Sequence, residues 1–365
     1  MLEIANGVVR AYYLLDVADT IDLAAMGADA AKGLAPAEFP LRPHTSPAYL
    51  QFPLPPLAGR LTEATIGDLR CDVRVKYFDY GVISLRLTFD ASGTWDGLVA
   101  LAERVRTDER IAQYAAQTGA RLCDEIASAL DDRHEPLIED YFTIEIDRFT
   151  ESVDAQSLLA DHASALACLL LGERARLSAG EAEEALRVRF SYYEDDLTIV
   201  QWDTAFIYDR GESARAIEDI LEFANSQLIE LRTYDTLLDS ELDAIYKMKP
   251  GTPGRSLNGR REAEQAATLR YLLVDVLELI DRSSNALKVV GDAYYARIYR
   301  AAAKRLSLAD WQRQIDTKIA SVGDMYRFVS DQARNRRDEF LELIIIVLIA
   351  LELIVGVLTL VRWHA

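Results

Sequence analysis

The strongest constraint on the fold is an alternation of apolar and polar residues in two neighbouring segments. Cys71, Val73, Val75 and Tyr77 alternate with Asp72, Arg74 and Lys76, and Ile83, Leu85, Leu87 and Phe89 alternate with Ser84, Arg86 and Thr88. A period of two sends successive side chains to opposite faces, so each segment reads as a half-buried strand. Asp79-Tyr80-Gly81 supplies a glycine-bearing turn between them, and the pair reads as a β-hairpin. Residues 8–15, 141–149 and 197–209 are further strand candidates.

Helical stretches are expected near 95–130, 153–171 and 178–189, and the clearest helix covers 212–246. There Leu221, Ala224, Leu228, Leu231, Tyr234, Leu238, Leu242 and Ile245 keep a three-four spacing that makes one apolar stripe. Residues 36–59 hold most of the prolines and read as an extended loop. Mixed strands and helices place residues 1–248 in the α+β class, as an acidic head.

Formal net charge is −19, which argues against nucleic acid as a partner. Residues 1–250 carry 45 acidic against 23 basic side chains, a net of −22, whereas residues 251–340 are mildly basic at +4. Cys71, Cys123 and Cys168 are odd in number and form no CxxC pair, so neither a zinc site nor a disulfide framework is signalled. Glu3 and Arg10 interrupt any apolar run near the N-terminus, so no secretory signal is read there.

Residues 343–361 form a run of nineteen, fifteen of them Leu, Ile or Val. As a helix it would span roughly 28 Å, close to a bilayer's hydrocarbon core. The apolar gain of about −6 kcal/mol exceeds the roughly +3 kcal/mol for Glu352, so the sequence predicts a single transmembrane helix over 341–362. Arg334, Arg336 and Arg337 precede the span, while Arg362 and Trp363 follow it, which predicts a cytoplasmic head and an outside tail at 363–365. That arrangement is a tail anchor, with a bacterial inner membrane as the expected location.

Between head and span, KPGTPGRSLNGRR at 249–261 reads as a basic linker. Leu273, Ile280, Leu287, Tyr294, Ala301 and Leu308 then share one heptad position, which predicts a coiled-coil-like stalk over 262–340. A cap at Ser307 would fold it into a long helical hairpin, and one unbroken rod is the competing reading.

Two short segments carry a family resemblance. Residues 336–354 hold a basic pair, Arg336-Arg337, then Leu341-Glu342, an Ile-rich run and a second acid, Glu352. This pattern resembles the closing segment of the required-for-meiotic-nuclear-division family, and Tyr77-Phe78-Asp79-Tyr80-Gly81-Val82 resembles that family's aromatic-rich strand turn. The resemblance implies a distant bacterial member that is membrane-anchored and homo-oligomeric, without an agreed catalytic activity.

Candidate chemistry is sparse. Glu352 and Glu342 are expected to make intramembrane polar contacts, because a bare carboxylate there is costly. Thr143, Glu145 and Asp147 share one face of a strand, where two carboxylates could bind Mg²⁺ or act as acid and base; a solvated polar face is the plainer explanation. Glu194-Asp195-Asp196 reads as an acidic turn. His44, His134, His162 and His364 show no metal-ligand spacing, no GxSxG elbow is present, and no cofactor is expected.

The function expected from these features is a tail-anchored scaffold. It would homo-oligomerise through stalk and span and present an acidic head to a cytoplasmic protein partner. The alternative is a membrane-localised, divalent-cation-dependent enzyme using Glu145 and Asp147.

Overall fold

The computed structural model describes residues 2–26, 33–37, 52, 54–209, 212–247, 293–321, 323–324, 345–346 and 348–349. The chain divides into two compact units, one of Met1–Tyr234 with Asp275–Arg313 and another of Asp235–Val274 with Gln314–Ala365.

A ten-stranded sheet dominates the first unit. Its two longest strands, β1 (Glu3–Ile21) and β7 (Leu130–Phe149), pair antiparallel at its centre, with register shifts near Asn6 and Val17. On one side follow β5 (Val82–Asp90), β4 (Leu69–Tyr77), β3 (Leu57–Ile66) and β2 (Leu34–Pro36). On the other side follow β10 (Thr204–Tyr208), parallel to β7, then β9 (Leu197–Val200) and β8 (Arg189–Phe190). The short β6 (Gly93–Thr94) pairs with the start of β1.

The β4–β5 hairpin turns at Gly81, whose φ of +87° is a left-handed conformation favouring glycine. A Cβ there would also collide with the Ala18 carbonyl oxygen.

Strand alternation divides the sheet into two faces. Val9, Ala11, Tyr13 and Leu15 of β1 share one face with Val73, Val75, Leu85, Leu87, Phe142, Ile144 and Ile146, all buried. Three helices belong to the same core: α1 (Trp95–Thr107) through Leu98, Ala102 and Val105, α2 (Glu109–Glu125) through Ile111, Ala115 and Leu122, and α3 (Ala155–Leu171) through Leu158, Leu166 and Leu170. Side-chain oxygens cap each start: Thr94 accepts from Gly97 N at 3.1 Å, Asp108 from Arg110 N at 3.1 Å and Asp154 from Ser157 N at 2.7 Å. The short α4 (Ala179–Ala185) follows α3 and adds Ala185 to this core.

The polar face is covered as well. Helix α5 (Glu212–Lys247) meets it, and residues 216–231 of that helix are buried without interruption. Away from the sheet, Phe223 of α5 stacks on Tyr299 of α6 (Ala293–Arg305) with ring centroids 6.0 Å apart. Within the second unit, Asp235 and Asp239 hold Lys318 at 2.6 and 2.7 Å.

The expected architecture needs two corrections. The fold is a sheet-rich α+β unit, and no coiled-coil stalk is shown among the described residues. Tyr294, Tyr295, Ile298, Tyr299 and Ala302, in the stretch expected as stalk, are buried within the first unit, so the heptad spacing there marks a helix face packed on the head. Second, among the described residues no helix is long and apolar enough to cross a membrane, which overturns the expected transmembrane helix, tail anchor and single-pass membrane location. Of the apolar run, only Ile345, Ile346, Leu348 and Ile349 are described; they are helical and 52–60% exposed. The insertion sum measures how strongly such a segment avoids water and does not identify what covers it. Glu342, Glu352, Arg334, Arg336, Arg337, Arg362 and Trp363 lie outside the described residues, as does the linker at 249–261.

Candidate functional site: a charged layer beneath α5

The polar residues of the alternating strands stand in rows across the sheet. One row runs Asp72, Thr88, Arg10 and Thr143, and a second runs Arg60, Arg74, Arg86, Tyr12 and Tyr141. A third begins Lys76, Ser84 and Leu14. Helix α5 answers with its own polar stripe at three-four spacing: Arg215, Asp219, Glu222 and Ser226.

Two ion-pair clusters join these surfaces. Arg10 pairs with both Glu145 of β7 and Glu218 of α5, and Thr143 Oγ1 donates to Glu218 Oε1 at 3.0 Å. Lys76 pairs with Asp219 at 2.9 Å and also with Glu222. The side chains of Glu218 and Glu222 are only 3% and 4% exposed, so both pairs sit where solvent screens them weakly. Nearby, the Tyr80 hydroxyl and Ser226 Oγ share a hydrogen bond of 2.8 Å.

The titration properties follow from that burial. Burial opposes the positive charge on Arg10, yet Glu218, Tyr12 and Glu145 outweigh it and hold the guanidinium above its ordinary value. Lys76 is also raised, because Asp219 and Glu222 overcome its burial. Burial and then Glu218 push the Glu145 carboxyl upward, against the pull of Arg10. Burial holds the Tyr12 phenol well above its usual range, so this hydroxyl remains protonated.

A pocket of about 230 Å³ opens at the edge of this layer. Arg74 and Lys76 of β4, Ser84 and Arg86 of β5, and Arg215 of α5 line it, with Asp219 and Glu222 on the helix side.

The sequence candidates fare unevenly. Glu145 belongs to the charged layer, held by Arg10. Asp147 takes a separate partner, accepting from Asn6 Nδ2 at 3.2 Å in an exposed position. Among the described residues no group of three or more His, Cys, Asp or Glu side chains is arranged to hold a metal ion. Asp196 accepts from the backbone N–H groups of Tyr192 and Tyr193 at 2.7 and 2.8 Å, which fixes the turn before β9.

Sequence reasoning missed Arg10, Lys76, Arg86, Glu218 and Glu222 as members of one cluster. The signal was present as two polar patterns, one of period two on β4 and β5 and one of three-four spacing on α5. Nothing in either pattern alone says that they face each other.

Residues 6–214 match the family described as "Uncharacterized protein MJ0711, N-terminal domain". A relative from Methanocaldococcus jannaschii, "Uncharacterized protein MJ0711", is 24% identical over 208 residues, covering 57% of this chain and 63% of that protein. The match thus spans less than two thirds of the relative's length. No solved structure matches.

These findings overturn the resemblance to the required-for-meiotic-nuclear-division family. The match covers the sheet, α1–α4 and the start of α5, and the relative is archaeal, not bacterial. The two segments that carried the resemblance have simpler sources. Gly81 is what the tight hairpin turn with its positive φ requires, and both the aromatic turn around it and an Ile-rich run with two acids are short patterns of low specificity.

Proposed function

The chain belongs to the family of the uncharacterized protein MJ0711 N-terminal domain, and we propose that it acts as a binding and assembly module for protein partners, not as a catalyst. The observation that carries this reading is the balance of charge inside the fold. The buried layer sets Arg10, Lys76 and Arg86 against Glu145, Glu218, Asp219 and Glu222, so the charges beneath α5 nearly balance and do not absorb the acidic excess of the head sequence. An exterior of one sign repels nucleic acid and favours partners of complementary charge. The exposure of Ile345, Ile346, Leu348 and Ile349 supports self-association as one form of assembly.

The competing reading is a divalent-cation enzyme using Glu145 and Asp147. It requires both carboxylates to turn to one ion, whereas Glu145 is neutralised by Arg10 and Asp147 is bonded to Asn6.

Thermal denaturation with and without Mg²⁺ or Mn²⁺, alongside the absolute mass of the full chain by light scattering, separates the two. The expected result is a melting temperature indifferent to either ion and a mass above that of one chain. A metal-dependent rise lost in Asp147→Asn, with a monomeric mass, would overturn the proposal.

A further inference from the structure

Across β3, β4 and β5, Arg60, Arg74 and Arg86 stand directly opposite one another. Like charges in such a register repel unless an anion lies among them. Asp72 answers the first two, with Arg60 Nε at 2.5 Å and Arg74 Nε at 3.2 Å. Arg86 is different. Among the described residues no carboxylate comes within ion-pair distance of it, and its buried Nε has no hydrogen-bond partner.

Ser84 lies on the same face of the same strand and lines the same pocket. It is 1% exposed, and its hydroxyl also has no partner among the described residues. From the first turn of α5, the exposed Arg215 reaches this pocket and forms no ion pair with a described residue. The two acids lining the pocket, Asp219 and Glu222, make their ion pairs with Lys76, and Glu222, like Glu218, acts on Arg86 only from beyond ion-pair distance. The pocket therefore gathers the unpartnered Arg86 Nε and Ser84 hydroxyl with the exposed Arg215, which forms no ion pair with a described residue.

We propose that this pocket binds a small oxyanion-bearing ligand, a phosphorylated or carboxylated molecule of a few carbons. The planar forks of Arg86 and Arg215 take the oxyanion, and Ser84 Oγ donates a further hydrogen bond. Ala35 and Ala58, in the same cross-strand row as Lys76, give the carbon body an apolar wall. A volume of about 230 Å³ limits that body, being smaller than the cavities that hold drug-sized molecules. The site goes beyond the assembly reading and does not depend on it.

The test is titration of the full chain with inorganic phosphate and, separately, with malonate, at ionic strength held constant with chloride. Melting temperature and heat of binding are both read. The expected result is a saturable rise with at least one of the two anions. Preference for phosphate would assign a phosphorylated ligand, and preference for malonate a carboxylated one. In Arg215→Ala, an exposed position whose replacement leaves the core intact, affinity should fall about tenfold or more, equivalent to losing one charge-assisted contact. Arg86→Lys keeps the charge but loses the fork and should also bind more weakly. A shift equal to that of chloride alone, or one undiminished in Arg215→Ala, would overturn the proposal.

Discussion

One face of the sheet meets α1, α2 and α3 with Val, Ile, Leu and Phe, while the other meets α5 with arginine, lysine, glutamate and tyrosine. Both are buried, and the same alternating strands supply both. The apolar face gains by leaving water, at about 25 cal/mol per Å² of apolar surface, and tolerates small shifts in packing. The charged face gains little net energy from its pairs, because desolvation offsets their attraction. It is unforgiving of a lost partner, since the remaining charge stays buried. Period-two alternation therefore marks two chemistries, and it does not say which face is wet.

The difference is sharpest when one partner of the charged face is removed. Lys76→Met should remove the cation that pairs with both Asp219 and Glu222 beneath α5, destabilising the fold by about 3–5 kcal/mol. Urea denaturation would show it as a lower midpoint. On the apolar face, Leu85→Ala, at a site with no exposure, should destabilise by roughly 2–5 kcal/mol by the same measurement. If Lys76→Met were as mild as a surface change, the charged face would be wetter than described.

A smaller effect separates the faces by pH. Buried Asp16 on β1 lies 3.4 Å from His134 Nε2 on β7. Burial works against the imidazolium, but the bond to Asp16 outweighs it and raises His134 above 6.5. A raised histidine contributes stability that is full below its unfolded value and lost as pH rises through the folded one. Stability should therefore decline as pH rises past the ordinary histidine value and through the raised folded one, and His134→Gln should flatten that decline. The apolar face offers no such titration. Smallest of all, Asp147→Asn and Arg70→Ala, both on exposed pairs, should change stability by less than about 0.5 kcal/mol.

Much of the sheet was legible because period two is a local signal. The β4–β5 hairpin lies where Cys71–Tyr77 and Ile83–Phe89 placed it, and α5 lies where its Leu/Ala/Tyr stripe placed it. The charged layer was not legible, because Arg10, Glu145 and Glu218 are separated by more than a hundred residues and then by seventy more. Only the β1–β7 pairing and the return of α5 bring them together. The apolar stripe of α5 also masks the polar one beside it, so a helix buried all round reads as amphipathic. The stalk reading failed at Tyr294, Ile298 and Tyr299 for a related reason. A helix face packed on a domain and a face packed on a second helix share the same three-four spacing.

The most direct test is a double-mutant cycle between Arg10 and Glu218, with each replaced by Met and stability read from urea denaturation. Each single variant should lose about 3–5 kcal/mol, and the double variant should recover much of that loss, with a coupling of at least ~2 kcal/mol. Additive losses with no coupling would mean that the pair does not form beneath α5, and would contradict the charged layer itself.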